Sequence, residues 1–169
     1  MTDMIFFHRG NRPLALLLMC LLVGIGCAPT DVTYRLRFPS EEAFLMSSTA
    51  RVEVYDGTGT GDQSPDAICR KLSVLQPAGV NTVAVSDVRE VCEFLTGNVD
   101  LRTLEEGRLV FAASAVDANF TTILSGCAVV DVVPGVESVD IQLSTLPSYP
   151  DAPTPPHATL EEKCPGFAR

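Results

Sequence analysis

The chain has 169 residues, with 12 basic and 21 acidic side chains, a formal charge of −9, no tryptophan and two histidines. That length makes one ordinary domain with appendages, and the acidic balance excludes a surface built to hold nucleic acid phosphates or anionic lipid headgroups. The acidic residues stand singly or in pairs between apolar ones, the pattern of solvated faces rather than of a disordered acidic tail.

The first stretch, MTDMIFFHRGNRP, starts positively, because Arg9 and Arg12 outweigh Asp3. Residues 14 to 25 are then almost wholly apolar. Such a run falls short of the roughly 20 residues that cross a bilayer as a helix and suits a secretory h-region of about 7 to 15. A cleaved leader over residues 1–26 is expected. Its removal takes Arg9, Arg12 and Asp3, so 10 basic residues face 20 acidic ones and the charge becomes −10. It also takes Cys20 and leaves Cys27, Cys69, Cys92, Cys127 and Cys164. Five is odd, and an unpaired thiol in an exported protein needs an explanation. Lipidation of Cys27 supplies one and leaves four cysteines for two disulfides.

Residues 23–27, VGIGC, resemble the lipobox of bacterial lipoproteins, in which a small residue precedes a cysteine that is acylated and then begins the mature protein. Gly26 and Cys27 hold those places and Ile25 is compatible, while Gly24 stands where an aliphatic residue is usual. The resemblance implies a protein held to a membrane of the bacterial cell envelope by acyl chains on Cys27, and Ala28 in place of aspartate implies passage to the outer membrane. Each buried CH2 contributes about 0.8 kcal/mol, and two or more chains anchor a protein stably. Gly24 and Gly26 also satisfy ordinary signal cleavage, which would make the chain a soluble exported binding protein.

A spacer over residues 27–31 leads into VTYRLRF, where Val32, Tyr34, Leu36 and Phe38 alternate with polar residues as in a half-buried strand. Pro39 stops it, and SEEAFLMSS offers a single helical turn begun by Ser40. ARVEVYD is the next strand, with Val52 and Val54 inward and Arg51 and Glu53 outward, and GTGTGDQSPD reads as a loop. VNTVAV and VDLRTL read as short strands. Between them SDVREVCEFL places Val88, Val91, Cys92 and Leu95 on one helical face. A short helix capped by Ser86 or Asp87 is weighed there against its β-branched content and brevity.

RLVFAASAV is apolar on both faces, as a central strand should be, and Asp117, Ala118 and Asn119 make the following turn. FTTILSGCAVVDVV reads as one bent strand with a bulge at Gly126, PGVE turns, and SVDIQL closes the sheet with Val139, Ile141 and Leu143 inward. Seven to eight short strands over residues 32–146 predict an all-β fold, a single β-sandwich. LEEGRLVFAASAVDAN resembles the turn and strand of immunoglobulin-like and transthyretin-like sandwiches, with Leu104 and Gly107 ahead of Leu109, Phe111 and Ala113 on one face. The arrangement is also similar to cysteine-containing sandwich lipoproteins of Gram-negative bacteria. Residues 147–169 hold six of the twelve prolines and form an extended tail that Cys164 can pin back.

Four cysteines allow three pairings, and the preferred one is Cys69 with Cys92 and Cys127 with Cys164. Each bridge is worth about 3 to 4 kcal/mol. Without any CxxC, zinc is disfavoured. Asp56, Asp62 and Asp66 are weak calcium candidates in a glycine loop that lacks EF-hand spacing, and GTGTG lacks the lysine of a phosphate loop. No cofactor is expected.

Beyond the leader the one histidine is His157, in the tail, which disfavours a histidine-activated nucleophile. The reading is a non-catalytic, membrane-anchored module for binding, adhesion or assembly, with an envelope protein or a surface glycan as partner and no nucleic acid. Its rival is an exported glycosidase-like hydrolase, which needs only two carboxylates facing across a cleft.

Overall fold

A computed structural model describes residues 32–95, 104–134, 136 and 138–166. The leader, Cys27 and its spacer, and all of VDLRTL but Leu104 lie outside the described residues. The elements run β1 (Thr33–Arg37), α1 (Glu41–Met46), β2 (Thr49–Asp56), α2 (Pro65–Leu72), β3 (Thr82–Val85), β4 (Arg89–Glu90), β5 (Gly107–Val116), β6 (Thr122–Val132), β7 (Ser138–Thr145) and α3 (Leu160–Lys163), with 3-10 turns at Gly61–Gln63 and Val91–Leu95.

The local chemistry accounts for most of these elements. In β1, Tyr34 and Leu36 are buried between exposed arginines. Pro39 ends it, and the Ser40 hydroxyl accepts from the Ala43 N–H at 3.1 Å to start α1, whose first turn carries Glu41 and Glu42. After β5, the Asp117 carboxylate accepts from the Asn119 and Thr121 N–H groups and shapes the hairpin turn.

The strands form one mixed sheet in the order β1-β7-β6-β5-β2-β3, with β4 also against β2, curled into a half-barrel. This corrects the expectation of two stacked sheets, and β7 is the reason. Its Ser138–Gln142 half pairs in parallel with β1, while Leu143 to Thr145 pair antiparallel with β6. The first strand is therefore hydrogen-bonded into the sheet and does not lie across it as a second layer.

The bulge expected at Gly126 is also absent from the β5 ladder, where Ala113 faces Gly126 in unbroken register and the shift lies at Ala115 and Val116. Gly126 serves the other side. A Cβ there would run into the Gln142 carbonyl, so the glycine lets β7 approach closely.

The concave side holds the main core, including Tyr34, Val52, Val54, Phe111, Leu124, Ile141 and Leu143, closed by Phe44 of α1 and by Val91 and Phe94 of the 3-10 turn. A smaller cluster of Tyr55, Ile68, Ala78, Val110 and Ala112 lies on the opposite side under α2. The two-sided apolarity of β5 thus has two covers, a core and a helix. That helix falls at the end of what reads as a loop. Ser64 caps it, Pro65 occupies the first turn with Asp66, and Arg70 and Lys71 end it.

SDVREVCEFL is not a capped α-helix. Arg89 and Glu90 pair with Thr49 and Ala50, and a 3-10 turn follows that buries Val91, Cys92 and Phe94 while Val88 and Leu95 face solvent. Ser86 is occupied elsewhere: its hydroxyl accepts from the Val52 N–H at 2.8 Å and donates to the Asp87 carbonyl.

Candidate functional site

The four described cysteines form two bridges, Cys69–Cys127 and Cys92–Cys164, with Cα separations of 5.6 and 5.5 Å. The preferred pairing of Cys69 with Cys92 and of Cys127 with Cys164 is thereby overturned. The sheet itself separates those partners. Cys69 and Cys127 pack with the cluster under α2, whereas Cys92 and Cys164 belong to the concave core. The first bridge ties α2 to the back of β6; the second staples the tail.

The tail is held by more than its cysteine. Thr159 caps α3 by accepting from the Glu162 N–H, and Glu162 reaches back to the Ala158 N–H. Lys163 then donates to the carbonyls of Leu45, at 2.9 Å, and Ser47, and its ammonium lies 5.7 Å from the Phe44 ring centroid. A cation from the tail thus satisfies carbonyls at the C-terminal end of α1. Burial pushes the Lys163 pKa down, and Glu90 opposes this. Sequence reasoning missed Lys163, because nothing local marks a lysine that contacts residues more than a hundred positions away.

The three aspartates serve turns and caps. Asp56 accepts from the Thr58 N–H at 2.8 Å, a bond that lowers its pKa. Asp62 lies in the Gly61–Gln63 turn, where its carbonyl accepts from Lys71 Nζ, and Asp66 sits in the first turn of α2. Among the described residues no three His, Cys, Asp or Glu side chains come together as metal ligands would. His157 is exposed in the tail.

Two surface regions have the shape of binding sites. On the convex face a groove of 280 Å³ lies between β2, the small residues Ala112, Ser114 and Ser125, and a wall from Leu72 to Ala78. Arg51, Glu53 and Tyr55 line it, as alternate residues of one strand face must. Glu53 accepts from the Tyr55 hydroxyl at 2.6 Å and pairs with the Arg51 guanidinium at 2.9 Å. Its carboxylate is thus engaged on both oxygens.

Burial and the bond to Glu53 both raise the Tyr55 pKa above its ordinary 10.0. A raised pKa means that the folded state keeps a proton which the unfolded chain has lost, so this contribution is whole below pH 10 or so and shrinks as pH rises further. Denaturant midpoints measured across that range should fall for the wild-type chain, and the fall should be shallower for Tyr55→Phe.

The second region lies at the end of β2, between β3 on one side and the start of β5 on the other. A hollow of 560 Å³ is lined by Asp56, Val83, Glu105, Glu106 and Arg108, and another of 430 Å³ adjoins Asp56 and Val83 from the Gly59 side. No helix of the described residues is long and apolar enough to cross a membrane. No protein-family model, curated protein or solved structure matches the chain.

Proposed function

We propose that the chain is a lipid-anchored lipoprotein of the bacterial cell envelope, held to the outer membrane by acyl chains on Cys27, and that its domain is a non-catalytic module for binding or assembly. The observation that carries this reading is the pairing of Cys69 with Cys127 and of Cys92 with Cys164. With those four bridged and a leader removed through Gly26, Cys27 is the one cysteine left over. Two disulfides also favour an oxidising compartment such as the periplasm or the cell surface. The scaffold reading extends to β5, where a buried Leu104 precedes the strand and Gly107 opens it, an arrangement similar to immunoglobulin-like and transthyretin-like modules, here within a curled sheet.

The test is Cys27→Ser. The variant is expected in the soluble exported fraction while the wild-type chain sediments with membranes, and the mass of the wild-type amino-terminal peptide should include acyl chains. Unchanged membrane association of the variant, or an unmodified wild-type Cys27, would overturn the anchor.

A further inference from the structure

The two ends of the sheet are finished differently. At one end β1 carries Arg35 and Arg37, Arg37 pairs with Asp140 at 3.1 Å, and the Val91–Leu95 turn lies against the strand. Charge and cover are the usual protection of a sheet edge. At the other end β3 reads Thr82-Val83-Ala84-Val85, with neither charge nor proline. Ala84 packs against the core, the register with β2 shifts at Val83, and Val83 and Val85 are 54% and 51% exposed, with Val88 nearby at 63%. Among the described residues the backbone of β3 bonds to β2 alone.

The surroundings of that edge select a partner. Val83 lines both hollows, and around them Asp56, Glu105 and Glu106 outnumber Arg108. Among the described residues no ion pair engages Glu105 or Glu106. Extended segments bind sheet edges through main-chain hydrogen bonds, with alternate side chains choosing the partner, and a surplus of negative charge favours cationic side chains and draws them in. We propose that β3 takes up one extended, basic segment of a partner protein as an added strand. Apolar side chains of that segment lie along Val83 and Val85, and its Lys or Arg residues reach the hollow of Glu105 and Glu106.

This inference deepens the binding role proposed above and rests on it only for the cellular setting. The test uses the detergent-solubilised full chain, so its outcome does not depend on whether Cys27→Ser leaves the membrane. Two capped hexapeptides, one alternating Lys and Val and the other Glu and Val, are titrated against the protein while amide exchange is followed. The basic peptide should bind, slow exchange in Thr82–Val85, and weaken as salt is raised; the acidic peptide should bind at least about tenfold more weakly. Val85→Lys places a like charge on an exposed edge position and should cut binding of the basic peptide by about tenfold or more with the melting temperature unchanged. Glu105→Gln with Glu106→Gln should lower it several-fold. Equal binding of the two peptides, or binding unaffected by Val85→Lys, would overturn the proposal. So would self-association of the chain that Val85→Lys abolishes, which would assign the edge to a second copy.

Discussion

Replacing Cys92 and Cys164 together with alanine should lower the unfolding free energy by about 4 kcal/mol, because a bridge across 72 residues removes that much chain entropy from the unfolded state. The same pair of changes at Cys69 and Cys127, which span 58 residues, carries nearly the same entropic effect. Any difference between the two variants therefore reports what each bridge holds in the folded protein. Cys164 is almost wholly buried in the concave core, and the residue before it caps α1 through Leu45 and Ser47. Loss of Cys92–Cys164 should thus also free the tail, seen as protease cleavage in residues 147–166 under conditions that leave the strands intact. Urea titration and limited proteolysis measure the two effects separately. A loss below about 1 kcal/mol with a protected tail would mean that Lys163 and the α3 contacts suffice without the bridge.

Most of the described strands were legible in the sequence, Arg89–Glu90 excepted, and their partners were not. Alternation in VTYRLRF, ARVEVYD and SVDIQL reports which side chains of one strand share a face, and Tyr34, Val52 and Ile141 are buried as that pattern requires. It carries no information about which strand lies alongside, so the parallel pairing of β1 with β7 and the resulting curl were beyond it. The Ser40 cap was legible because its partner is three residues away. Lys163 and Ser86 were not, because theirs lie at the far end of the chain or in another strand.

The cysteine pairing was half legible. Within β6, Cys127 falls out of phase with Leu124, Ala128 and Val130, which face the core, so it had to lie on the back of the sheet. What covers that back is α2, and the signals of its start, Ser64 and Pro65, sit inside a run of glycines and aspartates that otherwise reads as a loop. With the helix recognised, Cys69 beside Ile68 becomes the partner available on that side. The Arg51–Glu53–Tyr55 groove follows the same division, since alternation faces Arg51 and Glu53 outward, while its wall comes from the turn after the overlooked helix.

Trimming one buried side chain on each side of β5 tests whether those two covers are independent. Phe111→Ala removes a ring at the centre of the concave core and should cost about 3 to 5 kcal/mol. Ile68→Ala acts in the smaller cluster under α2 and should cost about 2 to 5 kcal/mol. The two side chains belong to separate clusters on opposite faces, so the double variant should lose the sum to within about 0.5 kcal/mol. Urea unfolding of the two single variants and the double variant reads this directly. A loss under about 1 kcal/mol for Ile68→Ala would mean that α2 adds little to the fold. A coupling above about 1 kcal/mol would mean that β5 transmits packing changes between its faces, because contact is what makes such effects non-additive. In that case the groove walled by the chain after α2 would answer to substitutions in the core.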